Sequence, residues 1–419
     1  MKYLHFVTLL LAAGVSTAAY AQDLDAYKKH VEVLSSEAME GRGYVNDGVL
    51  KAERYIVDEY RKAGVDDILL QPFTIDINTF PGNTDMSVDG RKLCPGDDFL
   101  VREYSAAAKG HYKLVYIDTL GYDGAAWMKK LSSPKYKDYY GVLDLGARRQ
   151  CKEFRENGDW NKLPLAGMIY KWSDPLKFYK AAGERVSQKP VLWVSNDFPT
   201  DARSIDVDIE NEFRPAYESH NVIARVKGER SDSTFVVVGH YDHLGHFGRD
   251  MYYPGVNDNA SGVAAMLTLA KYFAANKPRF DVVFISFAGE EAGLRGSSYY
   301  AEHQAFPVDN IKYVVNLDMI GDNAPEQYCE VSDAGEAGFA LMKEINAERG
   351  FFTHFDRGAL ASNSDHYPFA ELGVPCIGFI QEGGDCFAYY HTHRDDMEHA
   401  IYDTYPKIFS LIVELFGRL

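Results

Sequence analysis

Hydrophobic residues follow two different rhythms along the chain, and each rhythm predicts a type of secondary structure. Leu24 to Leu34 and Gly48 to Gly64 have the 3.6-residue spacing of amphipathic helices. Ile68 to Ile77 alternates with a period of two, which predicts an edge strand. From Asn221 onward, short β-branched runs alternate with longer segments of helical spacing. This succession predicts an α/β fold with a mostly parallel mixed sheet flanked by helices.

The region after Asn221 contains five predicted strands and four predicted helices. The predicted strands are 221–227, 235–239, 281–287, 311–318 and 375–380, and we expect the first two to pair with each other. The predicted helices are 261–275, 296–304, 336–349 and 401–419. In open α/β sheets, ligands bind where the carboxyl ends of the strands meet. Polar residues that directly follow these strands are therefore the first candidates for a functional site.

Residues 81–209 interrupt this pattern. They contain short strand-like runs separated by turns rich in Gly, Pro, Asp and Lys; the runs are 111–117, 140–145, 166–170 and 190–194. The sequence of this region shows no cluster of metal-ligand residues. We predict that 22–80 plus 210–419 form the main domain and that 81–209 form a smaller inserted β-rich domain. An accessory role, such as substrate access or dimer contacts, is expected for the insertion.

The first 21 residues have the features of a cleaved secretory signal peptide. Lys2 precedes the apolar run 6–15, and Ala19-Tyr20-Ala21 forms a cleavage site with two small residues. The polar Gln22 that follows disfavours a buried N-terminal helix. Beyond this segment, no apolar run approaches the roughly 20 residues that span a bilayer. We therefore expect a secreted or periplasmic protein without a membrane span.

Composition narrows the possible partners. The chain has 419 residues, enough for two domains, and a formal net charge of −17. Nucleic-acid binding needs a basic face, so this charge argues against that class.

The odd number of cysteines leaves at least one thiol unpaired, and their scattered spacing matches no cysteine zinc site. They are Cys94, Cys151, Cys329, Cys376 and Cys386. The oligomeric state cannot be deduced from these features.

Histidine and carboxylate residues stand at the ends of the predicted strands. His240 and Asp242 follow strand 235–239, and Asp258 precedes the helix that begins near residue 261. Imidazole and carboxylate groups are ligands that suit a zinc-like cation. Glu290 and Glu291 follow strand 281–287 between glycines, where two adjacent carboxylates repel each other. A metal ion relieves this repulsion if one carboxylate binds it and the other faces a bound water.

Two further candidates complete the set. Asp318 ends strand 311–318, where a carboxylate can bind a metal or simply cap a turn. His391 and His393 lie near Asp395, and a pair of surface histidines alone carries little information. Together with the earlier residues they form a consistent set of metal ligands.

The order of these residues resembles the co-catalytic zinc exopeptidases, the family of bacterial leucyl-type aminopeptidases and glutamate carboxypeptidases. The resemblance covers residues 22–80 and 215–419, and the insertion is similar to a protease-associated domain. It implies two zinc ions per chain. Carried onto this sequence, the metal ligands are His240, Asp258, Glu291, Asp318 and His391. Asp258 is then the residue that bridges the two ions.

The resemblance also implies roles for carboxylates that do not bind metal. Glu290 is expected to be the general base that takes a proton from a water between the metals and passes it to the leaving amine. Asp242 is the expected carboxylate behind His240, and Asp395 is a weaker candidate for that role behind His391. The segment Ser364-Asp365-His366 is expected to shape the pocket. His243 and His246 are interpreted as loop residues.

The implied activity is aminopeptidase hydrolysis of N-terminal residues from a peptide substrate. Glutaminyl cyclase, which has a similar fold and uses one zinc, remains an alternative. The insertion and the Asn-Asp-Asn-Ala-Ser-Gly segment favour a peptidase. A glutamate carboxypeptidase-like enzyme would need clustered arginines, and nothing in the sequence brings Arg249, Arg295 and Arg357 together. A non-catalytic binding protein of this fold is expected to lose ligands, whereas here every position is filled.

Overall fold

The computed structural model describes residues 24–172, 175–306, 308–380 and 384–419. The predicted signal peptide, residues 1–21, lies outside the described residues. The helices are α1 (24–34), α2 (Gly48–Lys62), α3 (Gly124–Leu131), α4 (Gly262–Ala275), α5 (Arg295–Glu302), α6 (Glu336–Arg349), α7 (Tyr367–Glu371) and α8 (Tyr405–Arg418).

The strands form two eight-stranded sheets. In chain order they are β1 (Asp67–Thr79), β2 (Thr84–Val88), β3 (Arg91–Lys92), β4 (Phe99–Val101), β5 (Ala108–Tyr116), β6 (Tyr139–Asp144), β7 (Gly167–Lys171), β8 (Val191–Val194), β9 (Ser204–Ile209), β10 (Glu212–Val226), β11 (Arg230–His240), β12 (Phe280–Phe287), β13 (Ile311–Asp318), β14 (Glu326–Val331), β15 (His354–Gly358) and β16 (Cys376–Ile380).

The first sheet, which we call the main sheet, has the order β1-β10-β12-β11-β13-β16-β14-β15. Its central strands β12, β11, β13 and β16 are parallel to one another, whereas β1 and β10 add an antiparallel edge. Every residue of β12 is buried because strands flank it on both sides and helices cover both faces. One face packs against α5 and α7, and the other packs against α2, α4 and α8. The predicted mixed α/β fold is confirmed.

The predicted pairing of 221–227 with 235–239 is wrong. Strand β12 lies between β10 and β11, antiparallel to the first and parallel to the second. The link between β10 and β11 crosses the beginning of β12, where the Gly228 N–H donates to Asp281 Oδ1 at 2.8 Å. A Cβ atom on Gly228 would lie 2.3 Å from the carbonyl carbon of Phe280, so this crossing requires glycine. Strand β12 is apolar on both faces, so a position between two neighbouring strands buries more of its surface than a position at the edge.

The second sheet has the order β3-β2-β9-β5-β6-β7-β8-β4, and all its strands lie between residues 84 and 209. The four predicted runs in this region correspond to β5 to β8 with ends shifted by a few residues. The short strands β2, β3, β4 and β9 were not predicted, and neither were β14 and β15 of the main sheet. Several of these strands lie at or near sheet edges, where alternating exposed side chains resemble a loop in the sequence.

Aromatic rings connect the second sheet to a loop of the main domain. The ring of Phe247 lies 6.5 Å from Phe80, 6.0 Å from Phe99 and 5.6 Å from Phe178. All four side chains are buried. Phe247 follows β11, Phe99 begins β4, and Phe178 lies in the segment between β7 and β8. The cluster therefore joins the second sheet to the loop that follows a central strand of the main sheet.

Within the described residues, no helix is both long and apolar enough to cross a membrane. The five cysteines are free thiols, and four of them are buried. This agrees with their interpretation as small core residues. Cys94 is exposed.

We expect Phe247→Ala to lower the free energy of unfolding by about 3–5 kcal/mol, because it removes a buried ring and leaves a cavity. Urea denaturation followed by circular dichroism measures this change. The matched control is Leu120→Ala, since Leu120 is 89% exposed and its removal should leave stability within about 0.5 kcal/mol. A Phe247→Ala chain as stable as the control would show that these rings do not hold the two parts together.

Candidate metal centre

Five loops bring ionisable side chains to the carboxyl edge of the main sheet. Strands β11 and β13 end at His240 and Asp318, and Glu290 and Glu291 follow β12 after a short turn. These strands are adjacent and parallel, so their ends lie side by side. Two more residues come from the turn before α4 and from the loop after β16, namely Asp258 and His391. Five of these six residues are buried, and Glu290 is slightly more exposed.

The first group of contacts centres on His240. Its Nε2 lies 3.3 Å from Asp258 Oδ1, 3.4 Å from Asp318 Oδ1 and 3.9 Å from Glu290 Oε2. Its Nδ1 lies 3.1 Å from the backbone carbonyl of Asp242. A carbonyl can only accept, so Nδ1 carries the hydrogen and Nε2 is available as a metal ligand.

The second group centres on His391. Its Nε2 lies 3.2 Å from both Asp258 Oδ2 and Glu291 Oε2. Its Nδ1 donates to the backbone carbonyl of Phe178 at 2.7 Å, which again leaves Nε2 for a metal. The two oxygens of Asp258 therefore face different histidines. This arrangement allows one carboxylate to bridge two cations.

His243 lies in the loop after β11, as interpreted, and its side chain also borders this cluster. It is fully buried, and its Nδ1 lies 2.8 Å from Glu291 Oε1 and 3.9 Å from Asp258 Oδ2. His246 instead contacts Glu40 outside the cluster. His393 pairs with Asp97 at 3.1 Å and also lies outside it. The spacing His-x-Asp-His after a buried strand is the signal that could have identified His243.

The donor set fits divalent cations. There are two groups of three donor residues, and within each group the three donor atoms lie within 4.8 Å of one another. One group is His240, Asp258 and Asp318, and the other is His243, Asp258 and Glu291. Counting Glu290, four carboxylates meet in a buried space beside three imidazoles. Like charges this close repel strongly at low dielectric, and bound cations remove that repulsion. Imidazole nitrogens and carboxylate oxygens together favour zinc-like ions.

The protonation of the carboxylates differs across the cluster. Burial alone would raise the pKa of Asp258, but hydrogen bonds with His240 and His391 outweigh it and hold the pKa well below its usual range. At Glu291 burial also favours a higher pKa, but the charge of His391 outweighs burial, and the pKa falls to about 2. At Glu290 burial and the nearby carboxylates raise the pKa well above its usual range. Glu290 is therefore the carboxylate best suited to hold a proton.

Two buried carboxylates position the turns that carry the cluster. Asp242 accepts the backbone N–H groups of Glu290 and Glu291 at 3.2 and 3.3 Å. Asp395 accepts those of Asn257 and Asp258 at 2.8 and 2.9 Å. Burial raises the pKa of both carboxyl groups to about 7. Each one receives a pair of consecutive amides, and so fixes the backbone from which candidate ligands project.

These contacts correct the expected role of Asp395. The group behind His391 is the carbonyl of Phe178, which comes from the second-sheet region, and Asp395 lies behind Asp258 instead. Asp242 lies next to His240 as expected, with its carboxylate 3.8 Å from His240 Nδ1. The hydrogen bond from Nδ1, however, goes to the backbone carbonyl of Asp242. Sequence order alone does not reveal which backbone a carboxylate will contact.

Arg42 is a positioning residue that the sequence analysis missed. Its fully buried guanidinium donates to five backbone carbonyls at 2.8–3.1 Å. The acceptors are Leu34, Tyr241, Pro254, Gly255 and Asp258. Burial lowers the pKa of Arg42 to about 10, so it remains charged at neutral pH. Arg42 therefore ties α1, the loop after β11 and the turn of Asp258 together.

A chain of side-chain contacts holds Asp318. Ser364 Oγ donates to Asp318 Oδ2 at 2.5 Å, and Asn316 Nδ2 donates to Ser364 Oγ at 2.7 Å. His366 lies 3.1 Å from Glu330 through Nε2. Asp365 is buried, and burial raises its pKa to about 6. The Ser364-Asp365-His366 segment therefore packs directly behind a candidate ligand.

Two asparagine amides connect the Asp258 turn to the turn after β13. Asn257 Oδ1 accepts the N–H of Gly321 at 2.9 Å, and Asn259 Nδ2 donates to the carbonyl of Leu317 at 2.9 Å. Asn257 thus uses its amide on the backbone, while Asp258 faces the histidines. The geometry therefore places Asp258, and not the neighbouring Asn257, in the cluster.

We expect Arg42→Met to lower the free energy of unfolding by at least about 3 kcal/mol, because it leaves several buried carbonyls without a donor. Urea denaturation provides the measurement. Arg54→Met is the matched control, since Arg54 is exposed on the neighbouring helix α2. Arg42→Lys, which keeps the charge with fewer donors, should fall between the two. Equal stability of the Arg42→Met and Arg54→Met chains would contradict the positioning role.

Known proteins resemble this chain in both sequence and fold. Residues 221–416 match peptidase family M28. The aminopeptidase YwaD of Bacillus subtilis is 31% identical over 192 residues, which are 43% of this chain and 40% of that protein. A probable zinc metalloprotease of Pyrenophora tritici-repentis is 35% identical over 247 residues, 50% of this chain and 55% of that protein. The chain thus spans about half the length of these curated relatives.

The structural likeness extends further along the chain than the sequence match. The structure of BSAP, a zinc aminopeptidase from Bacillus subtilis, matches 93% of this chain and 93% of its own, with a TM-score of 0.71 and 23% sequence identity. This likeness establishes a shared fold. The sequence match 221–416 contains all six residues of the cluster that we began with, from His240 to His391. The part of the chain that matches peptidase family M28 thus carries the whole cluster.

Proposed function

We propose that this protein is a zinc-dependent aminopeptidase that hydrolyses N-terminal residues from peptides. One observation carries the proposal. Asp258 presents its two oxygens to different histidines, while Glu290, a carboxyl group with a raised pKa, lies at the edge of the same cluster. A shared carboxylate, two imidazoles and a proton-holding carboxyl group are the parts that metal-assisted peptide hydrolysis requires.

Two zinc ions would occupy the donors on either side of Asp258. His240 and Asp318 would hold one ion, and His391 and Glu291 would hold the other, with Asp258 shared between them. His243 lies close enough to Glu291 to support the second group through its hydrogen bond. Zinc bound in such a site lowers the pKa of a coordinated water and polarises the carbonyl of the scissile bond.

Glu290 would transfer protons in the reaction. It would accept a proton from the attacking water at Oε2, the oxygen that lies 3.9 Å from His240 Nε2, and then deliver it to the leaving amine. The hydrogen bond from its backbone N–H to Asp242 Oδ1 holds the residue in place. Its side chain is 12% exposed, slightly more than that of His391 at 10%.

The structure offers less support for a carboxypeptidase. Each of the three candidate arginines forms ion pairs with different acidic residues: Arg249 with Glu210, Arg295 with Glu184, and Arg357 with Asp333 and Glu336. They do not form the arginine cluster that would recognise the carboxylates of an acidic C-terminus. We favour cleavage at the amino end of a peptide because the described residues contain no such arginine cluster and because the named relatives include aminopeptidases.

We expect Glu290→Gln to reduce kcat on aminoacyl-p-nitroanilides by about 10²–10⁴-fold, because the amide cannot accept a proton. Zinc content, measured by atomic absorption, should stay near that of the unaltered protein since Glu290 is not proposed as a ligand. The matched control Glu344→Gln removes a charge from the exposed face of α6 and should leave kcat unchanged.

A broader substrate panel separates the alternatives. Chelation should abolish release of p-nitroaniline, and zinc should restore it. Cyclisation of N-terminal glutamine in place of this release would favour a glutaminyl cyclase, and cleavage of N-blocked peptides would favour a carboxypeptidase. A zinc-loaded protein that is silent in all three assays would favour a non-catalytic binding protein.

We also propose that the protein is exported, with residues 1–21 removed, and that 81–209 form a protease-associated-like inserted domain. The sequence features of the first segment support export, and the separate second sheet supports the insertion. Expression of the full chain in a Gram-negative host should yield a product that begins at Gln22. Intact mass spectrometry of the periplasmic and cytoplasmic fractions measures this, and a full-length mass in the periplasm would contradict the cleavage.

A further inference from the structure

A cavity of about 710 Å³ opens in the second-sheet region, apart from the metal cluster. Three aromatic side chains and three cations line it: Trp172, Tyr179, Trp193, Arg102, Lys152 and Arg155. A neighbouring cavity of about 410 Å³ shares the wall formed by Leu145 and Trp172. None of these residues takes part in the proposed hydrolysis. The cavity is large enough for one or two amino-acid residues of a peptide.

The charge around the cavity is opposite in sign to that of the whole chain. Two further cations, Arg149 and Lys171, line the neighbouring cavity. Five cations thus surround the two spaces, against only Glu156 and Asp144 among the acidic lining residues. The chain as a whole has a net charge of −17. A locally basic cavity in an acidic protein favours an anionic ligand.

Arg102 provides a buried donor at the cavity wall. Its side chain is 8% exposed, and its guanidinium carbon lies 4.1 Å from the ring centroid of Trp193. Glu103 and Glu156 each approach it at 3.4 Å. Glu156 faces Nε, whereas Nη1 has no hydrogen-bond acceptor in the described part of the chain. A buried guanidinium with unfilled donors favours a carboxylate oxygen as the missing acceptor.

Lys152 adds a cation that is available at the surface. Its side chain is exposed, and it forms no ion pair with any described residue. The wall behind it is aromatic, and the rings of Trp172 and Trp193 stack face to face, 4.4 Å apart at 7°. Tyr179 is 60% exposed beside them. An aromatic wall with adjacent cations suits an apolar or aromatic residue that carries a carboxylate.

One short segment connects this cavity to the metal cluster. Tyr179 lines the cavity, and the preceding residue Phe178 accepts the Nδ1 hydrogen of His391 and donates its N–H to the His391 carbonyl at 3.0 Å. The N–H of Ala181 donates to the carbonyl of Glu291 at 3.0 Å. The wall of the cavity and two candidate metal ligands are therefore held by residues 178–181.

We propose that this cavity binds the carboxylate-bearing end of a peptide whose amino end lies at the metal centre. The inference rests on the proposed aminopeptidase function and adds to it a substrate class, short peptides with a free C-terminal carboxylate. The same carboxylate chemistry could belong to a separate small ligand, and the experiments below distinguish the two sources.

Binding is measured first, with a probe that an aminopeptidase cannot cleave. The probe is an N-acetylated tetrapeptide that ends in phenylalanine, compared with its C-terminal amide, and isothermal titration calorimetry is carried out on the zinc-loaded protein. The free acid should bind at least tenfold more tightly than the amide. Lys152→Gln should remove most of this difference, whereas Lys129→Gln, which removes an exposed charge elsewhere in the same region, should preserve it. Equal binding of acid and amide would overturn the proposal.

Kinetics then identify the source of the carboxylate. For unblocked peptides of two to six residues, kcat/KM should favour the acid over the amide at one range of lengths, and this preference should disappear in Lys152→Gln. Aminoacyl-p-nitroanilides lack the carboxylate, so their hydrolysis should be unchanged by the substitution. Because the bound acid would extend to the metal centre, it should inhibit p-nitroanilide hydrolysis competitively, and Lys152→Gln should weaken this inhibition. Activation or non-competitive inhibition of p-nitroanilide hydrolysis by that acid would instead assign the cavity to a separate effector and overturn the proposal.

The two proposals fail in different ways. If no amino-terminal hydrolysis occurs but the acid still binds in a Lys152-dependent manner, the aminopeptidase function is wrong and the carboxylate site stands. If hydrolysis occurs without any preference for the free acid in binding or in kcat/KM, the cavity proposal is wrong and the aminopeptidase function stands.

Discussion

Mutual repulsion among buried carboxylates is the constraint on which the rest of this structure depends. Asp258, Glu290, Glu291 and Asp318 meet at the end of a sheet whose central strands are buried on both faces. Water cannot screen their charges there, so the protein must hold them with other groups. Histidines supply part of that stabilisation, and bound cations would supply the remainder. Metal binding at this site would therefore be coupled to folding.

The protein holds these residues mainly through their backbone. Asp242 and Asp395 each bind a pair of consecutive amides, and Arg42 binds five carbonyls, so none of the three needs to contact a metal to set the geometry of the site. This arrangement leaves the side-chain atoms of the cluster free to face one another. It also explains why buried charges accumulate around the site, since the backbone dipoles of tight turns are satisfied by carboxylates and a guanidinium.

Much of the fold could be predicted because burial on both faces of a strand leaves a continuous apolar run, as in Phe235 to Val238. The order of the strands could not, since the position of β12 between β10 and β11 depends on a crossing link that only Gly228 marks. In the site, residue types at the strand ends indicated which side chains would meet. Arg42 and Phe178 remained hidden because they act on or through backbone atoms, and a backbone carbonyl leaves no trace in a sequence.

The second sheet takes part in the site even though its strands carry none of the clustered residues. The carbonyl of Phe178 fixes the ring of His391, and without that acceptor the histidine could adopt either tautomer or rotate away. His391 itself has a positive φ of 59°, a conformation that a histidine keeps only when its surroundings hold it. Because residues 178–181 also border the basic cavity, any ligand that moves this segment changes the setting of His391. Under the two proposals, the second-sheet region would couple recognition of a distant part of a peptide to the arrangement of the cluster.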